Sequence, residues 1–183
     1  MLKNSKKSYG LVAIFIHWLM AIAIFFMFGL GLYMVELTYY DPWYKGSLDL
    51  HKSIGMLLIV MWVARLIWRQ MNHSPDELPG PKLEQAAARV GHFLLYALML
   101  FILVSGYLIS TADGKPISVF EFINVPALPW SFDNQEDIVG EIHFWLAWAL
   151  IGFVVGHIGA ALKHQFINKD GGLMRIIKVN KEH

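Results

Sequence analysis

Cysteine is absent from this chain of 183 residues. That excludes a disulfide, a thiolate metal ligand and covalent cofactor attachment through a C-x-x-C-H motif. A bound metal or prosthetic group must then be held by histidine or methionine. Charge is scarce as well. Charged residues make up 16% of the chain and hydrophobic ones 56%, with a mean hydropathy of +0.47. An ordinary soluble domain is not this apolar. The stretches 11–35, 90–112 and 142–162 contain no Lys, Arg, Asp or Glu. A weaker stretch, 48–68, has a charge-free centre at 53–64 between Lys52 and Arg65, whose long side chains can snorkel to headgroups. Runs of this length predict transmembrane helices. The absence of buried acids in them argues against a proton-coupled pump. The first run is longer than a signal-peptide apolar region and no A-x-A cleavage pattern follows it, so it is expected to be retained.

The expected fold is all-α: an integral membrane four-helix bundle forming one domain over 1–183. Its helices are expected near 9–36, 48–70, 83–112 and 138–165. Loops 37–47 and 113–137 fall on one side, and a surface tail follows at 166–183. Four spans put both termini on the same side. That side receives 12 of the 15 basic residues, and the other holds only Lys45, Lys52 and Lys115 with most of the acids. The positive-inside rule therefore predicts cytoplasmic termini. The basic residues are dispersed along juxtamembrane segments, which gives no reason to expect a nucleic-acid partner. The long outer loop, rich in acids and aromatics, is expected either to cap an outer site or to cover helix ends.

The chain is organised around 140–165, a hydrophobic run carrying His143, His157 and His164 at spacings of 14 and 7. On a helix those spacings keep all three imidazoles on one stripe, and 14 residues rise about 21 Å. His143 and His157 would then lie near opposite faces of a hydrocarbon core about 30 Å thick. The other spans supply His17, His51 and His92. Sorted by depth, His51 and His143 share the outer half. His17, His92 and His157 share the inner half, with His164 nearer the inner surface. His73 and His183 fall in a loop and a tail. Neutral imidazole is a common metal ligand, and two opposed imidazoles can hold one iron from both faces. The outer pair is His51 with His143. On the inner side, the partner of His157 is His17 or His92; spacing does not decide between them. Gly55, one turn after His51, leaves space for a flat ligand or for a neighbouring helix.

One histidine on helix one (His17-Trp18), one on helix two (His51) and two on helix four separated by 14 (His143 and Gly156-His157) form a specific pattern. The chain in this respect resembles the bacterial cytochrome b561 family and, more broadly, four-helix dihaem membrane cytochromes b. The resemblance covers nearly the whole chain. It implies two b haems, an inner one on His17 and His157 and an outer one on His51 and His143. His92 is left beside a propionate or the quinone pocket. It also implies reduction of ubiquinone near a histidine one heptad beyond the last ligand, the position of His164, and a lipid environment. The family members most similar to this chain are superoxide oxidases, so superoxide is the first expected periplasmic donor. Lys52, next to His51, is the candidate cation for attracting it. Against this, an outer face rich in acids does not favour an anionic substrate. The alternative is an electron-transfer subunit serving a separate periplasmic redox protein.

Overall fold

The computed structural model describes residues 1–178; the end of the tail, with Lys181 and His183, lies outside the described residues. Among the described residues, four helices are long and apolar enough to cross a membrane. They are α1 (Leu11–Glu36), α2 (Tyr44–Met71), α3 (Lys82–Ser110) and α4 (Gln135–Lys163). The shortest has 26 residues, about 39 Å at 1.5 Å per residue, enough to span the hydrocarbon with a margin. Large apolar side chains on their surfaces are exposed, among them Phe15, Ile22 and Val60, each about two-thirds accessible. Such an outward-facing apolar surface suits lipid rather than water.

The helix ends follow local chemistry more than hydropathy. The second helix starts at Tyr44, four residues before the apolar run. Asp41-Pro42 is a start signal there: Tyr44 N–H donates to Asp41 O at 3.1 Å, and Asp41 also accepts from the backbone and hydroxyl of Thr38. Those bonds from Thr38 hold the Asp41 carboxyl below its usual range. Pro81 opens α3, with Gln85 N–H bonded to its carbonyl at 3.2 Å. At the head of α4, Gln135 is buried. Its side chain accepts from Phe132 N–H and donates to Leu108 O, while Glu136 and Asp137 complement the helix dipole. The last helix ends in a π-helical turn, His164–Asn168, closed by Lys169 in the left-handed conformation at φ 54°. A short 3-10 helix follows at Leu173–Ile176.

The chain divides into two compact units, and every helix contributes a segment to each. The first comprises Met1–Met20, Met61–Ala97 and, within the described residues, the chain from Gly152 to Lys178. In it the N-terminal lead is tied down: Asn4 donates to His73 O, Asp76 N–H to Lys6 O, and Trp18 Nε1–H to Ile176 O. His73 is exposed. The second comprises Ala21–Val60 and Leu98–Ile151. Its buried apolar side chains include Leu30, Leu58, Met99, Leu103, Val139 and Leu150.

The second unit also contains a hairpin where an irregular loop is expected from the sequence. Strands β1 (Ile117–Val119) and β2 (Ile123–Val125) pair antiparallel, with Ser118 opposite Asn124. The three-residue connection 120–122 places Phe120 at φ 48° and Glu121 at φ 63°, and Phe122 N–H bonds Val119 O. Both φ values positive is the geometry of a type I′ turn, normally built with Asn or Gly. Two larger residues here store strain of about 1–3 kcal/mol each. What holds them is tertiary: Phe120 N–H donates to the hydroxyl of buried Ser53 at 2.9 Å, and Ile117 and Val119 are buried beneath the hairpin. Replacing Ser53 with Ala should cost about 1–2 kcal/mol by leaving that amide unpaired. Glu121→Gly should stabilise by relieving the turn. Melting of the detergent-solubilised protein reads both, and an unchanged melting temperature in Ser53→Ala would show that the anchor is not needed.

Candidate redox-cofactor sites

In the second unit, α2 presents His51 and α4 presents His143 with their ring centroids 6.2 Å apart, inclined at 71°. An imidazole nitrogen lies about 2.0–2.1 Å from a bound first-row metal, so two rings facing one ion from opposite sides have centroids about 6 Å apart. The nitrogens are prepared unequally. Ser105, buried on α3, donates its only hydroxyl proton to Ile102 O at 2.9 Å. Its oxygen lies 2.9 Å from His143 Nδ1 and can therefore only accept there. His143 thus carries its proton on Nδ1 and keeps the Nε2 lone pair for a ligand, the orientation that metal-binding histidines need. On the opposite ring, His51 Nδ1 is buried without any hydrogen-bond partner among the described residues.

The space beside these rings is cleared by glycine. A Cβ on Gly106 would stand 3.2 Å from His143 Cε1, and one on Gly31 would stand 3.6 Å from His51 Cε1. The adjoining cavity, about 230 Å³, is walled mostly by aliphatic and aromatic side chains, and Gly55 and Lys52 lie on its lining. An unpaired buried nitrogen, a pre-oriented imidazole and an apolar cavity with glycine clearings fit a flat apolar group that carries a metal. Among the described residues no three His, Cys, Asp or Glu side chains come together to hold a metal ion. A group that brings its own equatorial ligands needs only two.

Around this site the charges are mixed. Lys115 is paired with Asp113 at 2.6 Å, and hydrogen bonds from the Lys115 side chain and backbone hold Asp113 below the usual carboxylate range. Lys52 lies within electrostatic reach of the same carboxylate.

In the first unit, α3 and α4 bring His92 and His157 to a ring separation of 5.4 Å. His17 on α1 is within electrostatic reach of both. Arg65 is the side chain that sequence reasoning misplaces. It does not reach out to headgroups; its guanidinium donates to His17 Nδ1 at 3.1 Å and to the Tyr96 hydroxyl at 2.9 Å. Arg69 stacks over the Tyr96 ring at 5.1 Å. A guanidinium has no acceptor, so in this arrangement the lone pair of His17 Nδ1 faces Arg65. Three more buried polar atoms of this unit have no partner among the described residues: Trp62 Nε1, Trp68 Nε1 and Gln165 Oε1. The basic residue in an otherwise apolar helix was the available signal for Arg65. Ser105, Tyr96 and the tryptophans gave none, because only tertiary contact gives them a role. His164, at the end of α4, contacts Asp170 through Nδ1 at 2.5 Å.

The family model for prokaryotic cytochrome b561 matches residues 8–178. The chain is 49% identical over 175 residues to cytochrome b561 homolog 2 of Escherichia coli (strain K12), covering 95% of this chain and 93% of that one. It is 29% identical over 178 residues to the probable superoxide oxidase CybB of Yersinia pestis, covering 93% and 96%. It is 28% identical over 179 residues to cytochrome b561 homolog 1 of the same E. coli strain, covering 92% and 96%. With four membrane-spanning helices and a family match across nearly its whole length, the chain belongs to the prokaryotic cytochrome b561 family: a multi-pass bacterial inner-membrane protein that binds haem b and transfers electrons.

Proposed function

We propose that the protein carries two b haems and moves electrons from a periplasmic one-electron donor to ubiquinone, with superoxide as the donor and both termini in the cytoplasm. The observation that carries this reading is the opposed pair His51 and His143, one ring pre-oriented by Ser105 and the other with an unpaired buried nitrogen. Bound there and in the first unit, haem b supplies one-electron carriers at defined potentials. The chain's own groups do the rest. His51 and His143 would hold the outer group, Ser105 keeps His143 in the ligating tautomer, and the glycines keep the space beside the two rings clear. His17 and His157 would hold the inner group, with His92 beside them; His17 ligates once its Nδ1 gives up the Arg65 contact, because a neutral ring that accepts there carries its proton on Nε2. Arg65 and the unpaired Trp62 and Trp68 N–H groups supply donors for carboxylate or carbonyl oxygens. Lys52, on the lining of the outer cavity, attracts an anion; His164 hydrogen-bonds and protonates the quinone. The orientation is supported by the placement of 12 of 15 basic residues on the terminal side.

A second reading has its own support. The outer loops are acidic, and Lys115 is neutralised by Asp113, which disfavours an anion and favours a basic protein donor. A relative named as a probable superoxide oxidase supports the first reading at 29% identity.

Purified protein should show two low-spin b-type haems per chain in its oxidised and reduced absorbance spectra. His51→Leu or His143→Leu should each remove about one of the two, and so should His17→Leu. His92→Leu should keep both. Loss with His92→Leu but not His17→Leu would move the inner ligand to His92. A colourless protein that takes up no added haem would sink the whole reading. A superoxide pulse should reduce the isolated protein quickly, and Lys52→Gln should slow that step several-fold at low salt. Slow, non-saturating reduction would instead assign the outer face to a protein donor.

A further inference from the structure

Beyond α4, the chain is built around one carboxylate. Asp170 Oδ2 lies 2.5 Å from His164 Nδ1, and the Asp170 side chain is only 7% exposed. Its other oxygen accepts Gly172 N–H at 2.9 Å, and its own backbone N–H returns to His164 O. The π-helical turn and the left-handed Lys169 bring the chain back far enough for this contact. Gly172 packs closely in the same place: a Cβ there would stand 2.8 Å from Leu78 Cδ1 and 3.4 Å from His164 Cβ. Burial alone would raise the Asp170 carboxyl, but hydrogen bonds from His164 and Gly172 outweigh it and hold it below the usual range, so the group is ionised.

An ionised carboxylate only accepts hydrogen bonds. The proton of the pair therefore sits on His164 Nδ1, and Nε2 is the nitrogen left for a ligand. Asn168 Nδ2 also lies 3.3 Å from His164 Nδ1; with Nδ1 protonated it donates to Glu84 Oε2 at 3.3 Å and not to the ring. The charged groups around the imidazole are Asp170, Lys163, Glu84 from α3 and, beyond Asp170, Arg175; Lys163 and Glu84 are paired at 2.7 Å. Asp170 is the one bonded to the ring.

We propose that Asp170 is the positioning residue of the quinone site: it fixes His164 with Nδ1 protonated, so that Nε2–H is the group that hydrogen-bonds and protonates the quinone oxygen. The inference rests on the quinone reading above. Quinone reduction takes up two electrons and two protons and turns both C=O groups into C–OH. The electrons arrive singly from the periplasmic one-electron donor. One oxygen receives the proton of His164 Nε2–H, which leaves a neutral imidazole still bonded to Asp170 through Nδ1–H and is then restored from water. The other oxygen takes its proton from water. Asp170 stabilises the imidazolium before transfer and prevents the ring from turning over after it, the service a buried carboxylate gives a catalytic histidine elsewhere.

Two measurements on the haem-loaded protein test this. Histidine-labelled ¹⁵N NMR, with His164 assigned by its loss in His164→Gln, should show proton occupancy at Nδ1 in the unmodified protein and its loss in Asp170→Asn. With a short-chain ubiquinone as acceptor, His164→Gln and Asp170→Asn should both lower kcat for quinol formation, Asp170→Asn by about 10-fold or more, a typical loss for an orienting partner. KM should stay within about two-fold, and haem content should not change. If His164→Gln leaves quinol formation unchanged, the quinone reading fails and the inference with it. If His164→Gln is slow and Asp170→Asn is not, the inference alone fails. A neutral His164 protonated at Nε2 in the unmodified protein overturns it, whether or not Asp170→Asn takes up haem.

Discussion

A histidine placed in hydrocarbon needs partners for both ring nitrogens, since an unsatisfied polar group there costs several kcal/mol. Much of this structure answers that requirement. Ser105 takes one nitrogen of His143, Arg65 takes one of His17, and Asp170 takes one of His164. Ser105 and Asp170 each face an Nδ1–H and leave Nε2 free, whereas Arg65 engages the lone pair of His17 Nδ1, so the neutral ring there carries its proton on Nε2. His51 is the exception, with a buried Nδ1 that nothing in the described chain meets. A membrane chain that needed its histidines only for helix contact would have little reason to pair one side of a ring and leave the other.

The partners differ in what they permit. Serine with its proton already given to Ile102 can only accept, so it selects the Nδ1–H tautomer. Aspartate selects the same tautomer and adds negative charge, which suits a histidine that carries a proton during turnover. Arginine selects the opposite: it takes a lone pair. The three contacts thus set three ring states: a free Nε2 on His143, a ring held against a carboxylate on His164, and a lone pair engaged by a cation on His17. Family membership gives these groups a shared task, membrane electron transfer by a haem b protein. The 49% relative bears only a family name, while the relative named for superoxide is more distant at 29%.

Much of the helical architecture was legible in the sequence because a bilayer imposes a length that hydropathy reports directly. The boundaries were less so. Tyr44–Ser47 is helical without being apolar, set by Asp41-Pro42 and not by burial. The histidines were legible as a set because ionisable residues are rare in such runs. Their partners were not: Ser105 looks like any small helix residue, and Asp170 sits in a polar tail where an acid attracts no notice. Arg65 read as a snorkelling side chain because sequence gives depth along a helix but not the direction a side chain takes around it. The hairpin was illegible for a different reason. Its turn carries Phe120 and Glu121 where a local signal would need Asn or Gly, and a serine 67 residues away supplies what the turn itself lacks.

The glycine clearings beside His51 and His143 bear on thermodynamics as well as on geometry. A wall that stops short of its neighbour forgoes dispersion contacts, and the unpaired nitrogen of His51 adds to the deficit. Any occupant that supplies those contacts binds the folded chain and not the unfolded one, so it stabilises the protein by mass action. The stability of this chain is then not a single number but a function of the free concentration of its occupant. In a cell, the same linkage ties the lifetime of newly inserted protein to the supply of that occupant.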